Sequence, residues 1–426
     1  MLRSLSPVLA LAVLTVPAAC TVRQTYELPP PEELSTPTTD GGSASSTLPD
    51  TGVSCETSSD PENCGVCGHS CGGGACAFGA CQPLLLASDT NLQNLVIAER
   101  EAYWLNGAGE VRAVSLAGGS VRTLASGWTS VRGENVAGAQ NGSHVFFALT
   151  PADAASSGIV TRVIRISKTG GDVDVLGSVT SSLAVQSPGV GARAIVVEGD
   201  DVFWVSSVQG EPAYKTRQQV ARCPVGGCNG APDMLLEGDE ADQLLSLVVR
   251  NATVFTANFT LGRIERRLPD GGTDRFLSVP LPEAIAADSK HLYVQTKQPA
   301  GYGSNVVRCD WPPTEVLGSG CMALTTLASG GRVDVSPAAG LAIDAEHVVW
   351  SNIEWGASPV RDSIMRCPKE GLGCGANPEV LVELGTDSLG RPRLLAMDAK
   401  AVYWSNARGE LFKLAKPASS ALPTTQ

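Results

Sequence analysis

A strand ending in an aromatic pair recurs seven times along this chain, and this repeat limits the possible folds more than any other feature. The pairs are Tyr103-Trp104, Phe146-Phe147, Phe203-Trp204, Phe255-Thr256, Tyr293-Val294, Val349-Trp350 and Tyr403-Trp404, the fourth, fifth and sixth each keeping one aromatic member. Each follows an apolar strand and a polar turn, as in Ile343 then Asp344-Ala345-Glu346, and Met397 then Asp398-Ala399-Lys400. A third strand with a basic residue comes next: Arg165, Arg222, Arg266, Arg308, Arg366 or Lys413, with Ala113 as the exception. After a turn often rich in Gly, a fourth strand closes the unit, as in Arg122 to Gly127 or Thr325 to Gly330. Short strands separated by turn residues read as an all-β protein without long helices.

Four strands per unit, with 38 to 57 residues between successive pairs, match the arithmetic of propeller blades. One fourth strand is missing. The seventh unit stops after Leu414 in Ala, Pro, Ser and Thr, which leaves an open sheet edge that is costly to expose. Its complement stands before the first unit, where Leu84-Leu85-Leu86-Ala87-Ser88 repeats the fourth-strand texts Thr123-Leu124-Ala125-Ser126 and Thr326-Leu327-Ala328-Ser329. The expected fold is therefore a seven-bladed β-propeller of four-stranded antiparallel blades closed by an N-terminal strand. The alternative is an open or six-bladed ring in which the second unit, with its weak first strand Val136-Ala137-Gly138-Ala139, is degenerate.

The text Val402-Tyr403-Trp404-Ser405-Asn406-Ala407-Arg408-Gly409-Glu410-Leu411-Phe412-Lys413 resembles the blades of the YWTD and NHL families. The likeness covers 82–417. YWTD propellers have six blades, so it concerns the repeat and not the ring size.

Thirteen cysteines are too many for a reducing compartment unless they bind metal or do redox work. Cys223 with Cys228, Cys309 with Cys321 and Cys367 with Cys374 fall at one station, the hairpin between third and fourth strands, and local pairing is the simple reading. Cys55, Cys64, Cys67, Cys71, Cys76 and Cys81 crowd into 55–81 with little apolar material; such a module folds only if cross-linked, and fifteen pairings are open. It resembles the short Cys-rich modules of bacterial surface proteins. A zinc reading of Cys64, Cys67, His69 and Cys71 is disfavoured because His69 stands too close to its neighbours and export favours disulfides.

The chain starts like an exported one: Arg3 gives a positive beginning, Val8 to Val16 an apolar run too short to span a bilayer, and Ala18-Ala19 small residues before Cys20. Val16-Pro17-Ala18-Ala19-Cys20 resembles a bacterial lipobox, with Pro17 departing from the usual Leu. The resemblance implies a signal peptide over 1–19, a lipid on Cys20 and, with Thr21 following, an outer-membrane or cell-surface lipoprotein of a Gram-negative bacterium. Cleavage nearby by an ordinary signal peptidase is the alternative. From 20 to 54 the chain is Pro, Thr, Ser, Glu and Gly, a disordered linker reaching about 30 Å. Residues 418–426 form a disordered tail.

The net charge of -12 argues against a nucleic-acid partner. Long stretches between second and third strands, about Thr150 to Thr161, Ser206 to Gln219, Gln295 to Asn305 and Ser351 to Ser363, bring Tyr214, Tyr302 and Trp355 to one rim as a candidate binding face. Asn106, Asn258, Asn352 and Asn406 end second strands, where turn chemistry explains them as well as a channel-mouth role does. Three of four histidines, His144, His291 and His347, share one turn, and no nucleophile elbow or phosphate loop is present. No cofactor is expected. The reading is a surface-anchored binding or scaffolding module for a protein, peptide or glycan, with the membrane as partner through the lipid; the alternative is a propeller-type metal-dependent hydrolase or lyase with its site at the channel mouth.

Overall fold

The computed structural model describes residues 45–47, 54–128, 138–149, 159–181, 192–209, 216–238, 243–297, 303–312, 318–332, 340–352, 362–370, 373–384, 390 and 392–417. Among these there is no helix; seven four-stranded antiparallel sheets form a seven-bladed propeller. Blade 1 comprises Gln93–Ala98, Glu101–Leu105, Val111–Ser115 and Arg122–Ala125. Blades 2 to 6 follow over 139–181, 192–237, 244–278, 282–332 and 341–383, and blade 7 opens with Pro392–Met397, Ala401–Asn406 and Glu410–Ala415. Its fourth strand is Leu84–Ser88, paired through Lys413↔Leu84, Phe412↔Leu85, Leu411↔Ala87 and Glu410↔Ser88. The ring is closed by its N-terminal strand. The second unit is a full blade despite its two-residue first strand, Ala139–Gln140.

Local chemistry explains why each unit folds alike. In the turn joining first and second strands, one oxygen of Asp288, Asp344 or Asp398 accepts two backbone N–H groups, for example from Lys400 and Ala401 at 2.7 Å each, an Asx turn that starts the next strand. Strand alternation sends the two members of an aromatic pair to opposite faces: Trp104 packs with Tyr403 of blade 7, and Tyr103 with Phe147 of blade 2. The core is thus a series of apolar layers between neighbouring blades. A register shift interrupts the third–fourth pairing of every blade, in blade 7 between Leu411 and Phe412. Such bulges increase twist. The N-terminal strand therefore copies a fourth strand in register detail as well as in composition.

The basic column meets acids at the start of the fourth strand. Arg165, Arg222, Arg266 and Arg366 lie directly across the ladder from Asp174, Asp233, Asp274 and Glu379 and form ion pairs with them. Lysines tie turns of adjacent blades together. Lys416 Nζ reaches Asp344 Oδ2 at 2.6 Å and also donates to Asp398 O, while Lys369 Nζ lies 2.5 Å from Asp288 Oδ2 and 2.6 Å from Asp344 O. Burial works against the charged form of Asp344, but the Lys416 ammonium and two backbone N–H groups outweigh it and hold its pKa below the ordinary carboxylate value.

Disulfides join Cys55 to Cys67, Cys64 to Cys76 and Cys71 to Cys81 in the module, and Cys223 to Cys228, Cys309 to Cys321 and Cys367 to Cys374 in the ring. The hairpins of blades 3 and 6 reach back to the preceding blade, where Cys228 N donates to Leu176 O at 3.1 Å and Cys374 N to Leu327 O at 2.8 Å. The module lies on this hairpin end of the ring, since Lys413 Nζ donates to Gly72 O at 2.7 Å. His69 makes the second contact. Its Nδ1 is 2.7 Å from Cys64 O and its Nε2 2.7 Å from Lys416 O, so the ring joins the module to the end of the third strand of blade 7.

Candidate functional site

The end of the ring that carries the second-to-third connections is built from strand termini, and two kinds of terminus occur there. In blades 4 and 7 the second strand ends in Asn258 or Asn406, and in blade 1 Asn106 follows its last residue, Leu105. Asn406 Oδ1 accepts the N–H groups of Arg408 and Glu410 at 3.0 and 3.1 Å, and its Nδ2 donates to Glu410 Oε2 at 2.7 Å. Asn106 repeats this with Ala108 and Glu110, and Asn258 pairs with Leu261 N and Glu265. These asparagines cap their own turns, and their polar atoms are engaged by the fold.

Blades 3, 5 and 6 lack that device. The corresponding positions are Ser206, Thr296 and Asn352, all buried, and among the described residues Ser206 Oγ, Thr296 Oγ1 and Asn352 Oδ1 have no hydrogen-bond partner. Gln295 is 3 % exposed and its Nε2 is likewise unpartnered. Thr161 Oγ1, at the start of the third strand of blade 2, adds a further orphan at this end. Two more, Thr256 Oγ1 and Ser405 Oγ, belong to the capped blades. Leaving a buried polar group unpaired costs about 1–3 kcal/mol, so a polar partner brought to these atoms gains correspondingly.

Blades 5 and 6 bring the largest set together. Tyr293 and Trp350 pack in one core cluster, and Gln295 and Asn352 lie two residues further along the same strand faces. They therefore belong to facing surfaces of neighbouring blades. Glu283 and Asp362, 5 % and 1 % exposed, place two buried carboxylates on these same blades. Glu283 is the extra residue of a bulge between Pro282 and Ala284, opposite Thr296 and Gln295. Bulges at this station recur in blades 1, 3, 4 and 7, at the starts of the first strands. A bulge takes a side chain out of ladder alternation and re-aims it, which is how a channel mouth acquires functional groups. Donors, hydroxyls and carboxylates so arranged suit a neutral or amide-bearing polar ligand.

Tyr214, Tyr302 and Trp355 lie outside the described residues, as does Cys20. The stretches flanking the first two are partly strand rather than loop: second strands run to Gln209 and Lys297, third strands begin at Thr216 and Gly303, and Gln209↔Thr216 and Lys297↔Ser304 are paired. The ladder thus continues past the aromatic pair to Gln209 and Thr216 in blade 3 and to Lys297 and Ser304 in blade 5. Sequence reasoning missed Gln295, Thr296, Glu283 and Asp362. The signal available was the breakdown of the Asn-x-x-x-Glu box of blades 1 and 7 in the blades with long connections.

The histidines of the ring belong to turns at the other end. Burial and the Arg366 charge hold His347 below the ordinary imidazole pKa, and burial does the same for His144. In the module, Sγ atoms of Cys64, Cys71 and Cys81 lie within 4.8 Å of one another, but each is in a disulfide.

The chain matches no protein-family model and no curated protein. Among solved structures it is similar to a catalytically inactive virginiamycin B lyase from Staphylococcus aureus with quinupristin, at 14 % identity and a TM-score of 0.50, over 79 % of this chain and 98 % of that one. A streptogramin B lyase is similar at 11 % identity and a TM-score of 0.52, over 78 % of this chain and 97 % of that one. These likenesses show the propeller fold and nothing further.

Proposed function

We propose that this protein is an exported, lipid-anchored surface propeller that binds a protein, peptide or glycan ligand at the end bearing the second-to-third connections, centred on blades 5 and 6. The observation that carries the reading is the set of buried polar atoms there that have no partner among the described residues, Gln295 Nε2, Thr296 Oγ1 and Asn352 Oδ1. A fold gains nothing from burying such atoms, whereas a ligand that pairs with them gains hydrogen bonds in a desolvated setting.

Screening the full chain against glycan and peptide arrays, beside a Gln295→Leu/Asn352→Leu double variant, tests this. The variant should unfold at the same or a higher temperature, because apolar groups replace unsatisfied ones, while retention of any array ligand falls at least about tenfold. A lower unfolding temperature together with unchanged retention would assign these side chains to the fold. Chemical conversion of a retained probe would favour the lyase or hydrolase reading; the two similar structures are named as lyases.

Anchoring is tested separately. Expressed in a Gram-negative host, the native chain should carry a lipid mass and partition with membranes, and Cys20→Ala should do neither; an unmodified native chain cut before or after Cys20 overturns the anchor.

A further inference from the structure

Around most of the ring, a basic side chain of one blade reaches the third-to-fourth hairpin of the next. Arg122 Nη2 donates to Lys168 O at 2.9 Å, Arg165 Nη1 to Val225 O at 2.6 Å, Arg266 Nη1 to Ser319 Oγ at 2.8 Å, and Lys413 Nζ to Leu116 O at 2.8 Å. Arg308 Nη1 does the same with Lys369 O. Two junctions differ. Between blades 3 and 4 the hairpin is a tight turn, Leu268 N to Gly272 O at 2.8 Å, and Arg222 sits 38 % exposed beside Asp201.

Between blades 6 and 7 there is no hairpin at all, because the fourth strand of blade 7 comes from the other end of the chain. The place of the missing hairpin is a cleft of about 470 Å³ between the module and the ring, lined among others by Arg366, His347, Lys400, His69, Ser70 and Glu346. Arg366 spends Nε and Nη2 on Glu379, at 2.7 and 3.0 Å, and among the described residues its Nη1 has no partner. The Lys400 ammonium has none either, whereas Lys416 is already neutralised by Asp344.

The geometry points to a carboxylate-binding site at this seam, in which Arg366 Nη1 and the Lys400 ammonium take the oxygens that a hairpin carbonyl supplies at other junctions. A guanidinium edge with a second cation nearby matches a planar carboxylate, and charge-assisted bonds of this kind are about twice as strong as neutral ones. Arg366 is already paired with Glu379, so the cleft offers little uncompensated positive charge, and the ligand is a monocarboxylate and not a phosphate or a dicarboxylate. The volume suits a free small acid or the C-terminal end of a peptide. This site lies at the end of the ring opposite to blades 5 and 6's unpartnered strand termini and stands independently of their reading.

Calorimetric titration of the full chain with N-acetyl-trialanine, its C-terminal amide and sodium acetate tests the proposal. The acid should bind saturably and the amide at least about tenfold more weakly. Lys400→Met, which breaks no hydrogen bond of the fold, should weaken the acid about three- to tenfold, Arg366→Met should abolish its binding, and Arg222→Met should leave it unchanged. Acetate binding as tightly as the tripeptide identifies a free acid as the ligand; a tripeptide at least about tenfold tighter identifies a peptide end. Equal affinity for acid and amide, full affinity in both Lys400→Met and Arg366→Met, or no saturable binding of any probe at millimolar concentration overturns it.

Discussion

Leu86→Asp should cost this protein about 5 kcal/mol or more, whereas Leu85→Asp, one residue away on the same strand, should cost less than about 0.5 kcal/mol. Leu86 is 5 % exposed and packs with Leu92, Leu95, Trp104, Leu394, Tyr403 and Leu411, so it joins blade 7 to blade 1; Leu85 is 49 % exposed. An aspartate at 86 removes a leucine from this layer and leaves an unpaired carboxylate among apolar side chains. A single domain is stable by only about 5–15 kcal/mol, so the loss is a third or more of the total. It also reopens the edge of blade 7, which invites association between chains. Urea unfolding followed by tryptophan emission, with size-exclusion chromatography for aggregation, measures both effects. Equal midpoints for the two variants would mean that the N-terminal strand does not hold the ring closed. The neighbouring backbone leaves no slack: Gly409 has φ +78°, its N–H and C=O are bonded to Asn406 O and Asp89 N, and a Cβ there would lie 1.8 Å from Asp89 O.

That strand was legible in the sequence because a fourth strand has a fixed texture. Its two inward residues must be apolar and its outward ones need not be, so Leu84-Leu85-Leu86-Ala87-Ser88 and Thr123-Leu124-Ala125-Ser126 read alike wherever they stand in the chain. The aromatic pairs were legible for the same reason, since each must fill two inter-blade layers at once. The basic column was visible but its partners were not. Asp174, Asp233, Asp274 and Glu379 look like solvated turn residues until the ladder places them opposite arginines, and Lys168 O or Lys369 O become acceptors only when blades are set side by side. The contact between His69 and Lys416 joins residues 347 positions apart, with no local pattern to announce it. At the candidate site the hidden element was an absence: Ser206, Thr296 and Asn352 are ordinary strand residues in sequence, and that one polar atom of each lacks a partner among the described residues appears only in three dimensions.

Graded reduction should unfold the Cys-rich module while the ring stays folded. The module has three buried side chains of core type, Cys64, Cys71 and Cys76, and it leaves Val66 48 % and Phe78 101 % exposed, so little besides its cross-links opposes chain entropy. Its disulfides span 12, 12 and 10 residues. On the loop-entropy estimate each contributes about 3 kcal/mol, more in sum than so small an apolar core replaces. In the ring the order of importance is reversed. Cys223, Cys309 and Cys367 are fully buried between blades, and each blade keeps its ladder and its apolar layers without the cross-link, so the consequence of reduction there is small, whereas cutting one module cross-link opens the other two. Treatment with increasing dithiothreitol, followed by alkylation, limited proteolysis and mass spectrometry, should therefore show six modified thiols and new cuts within 55–81 first, with tryptophan emission unchanged at that stage. Because Lys413 and Lys416 bond to Gly72 and His69, the unfolding free energy of the ring in urea should then fall by about 1–3 kcal/mol, the worth of two lost docking contacts. If the ring cysteines react first, or if a module with six modified thiols still resists protease, then packing against blades 7 and 1 rather than cross-linking holds the module together.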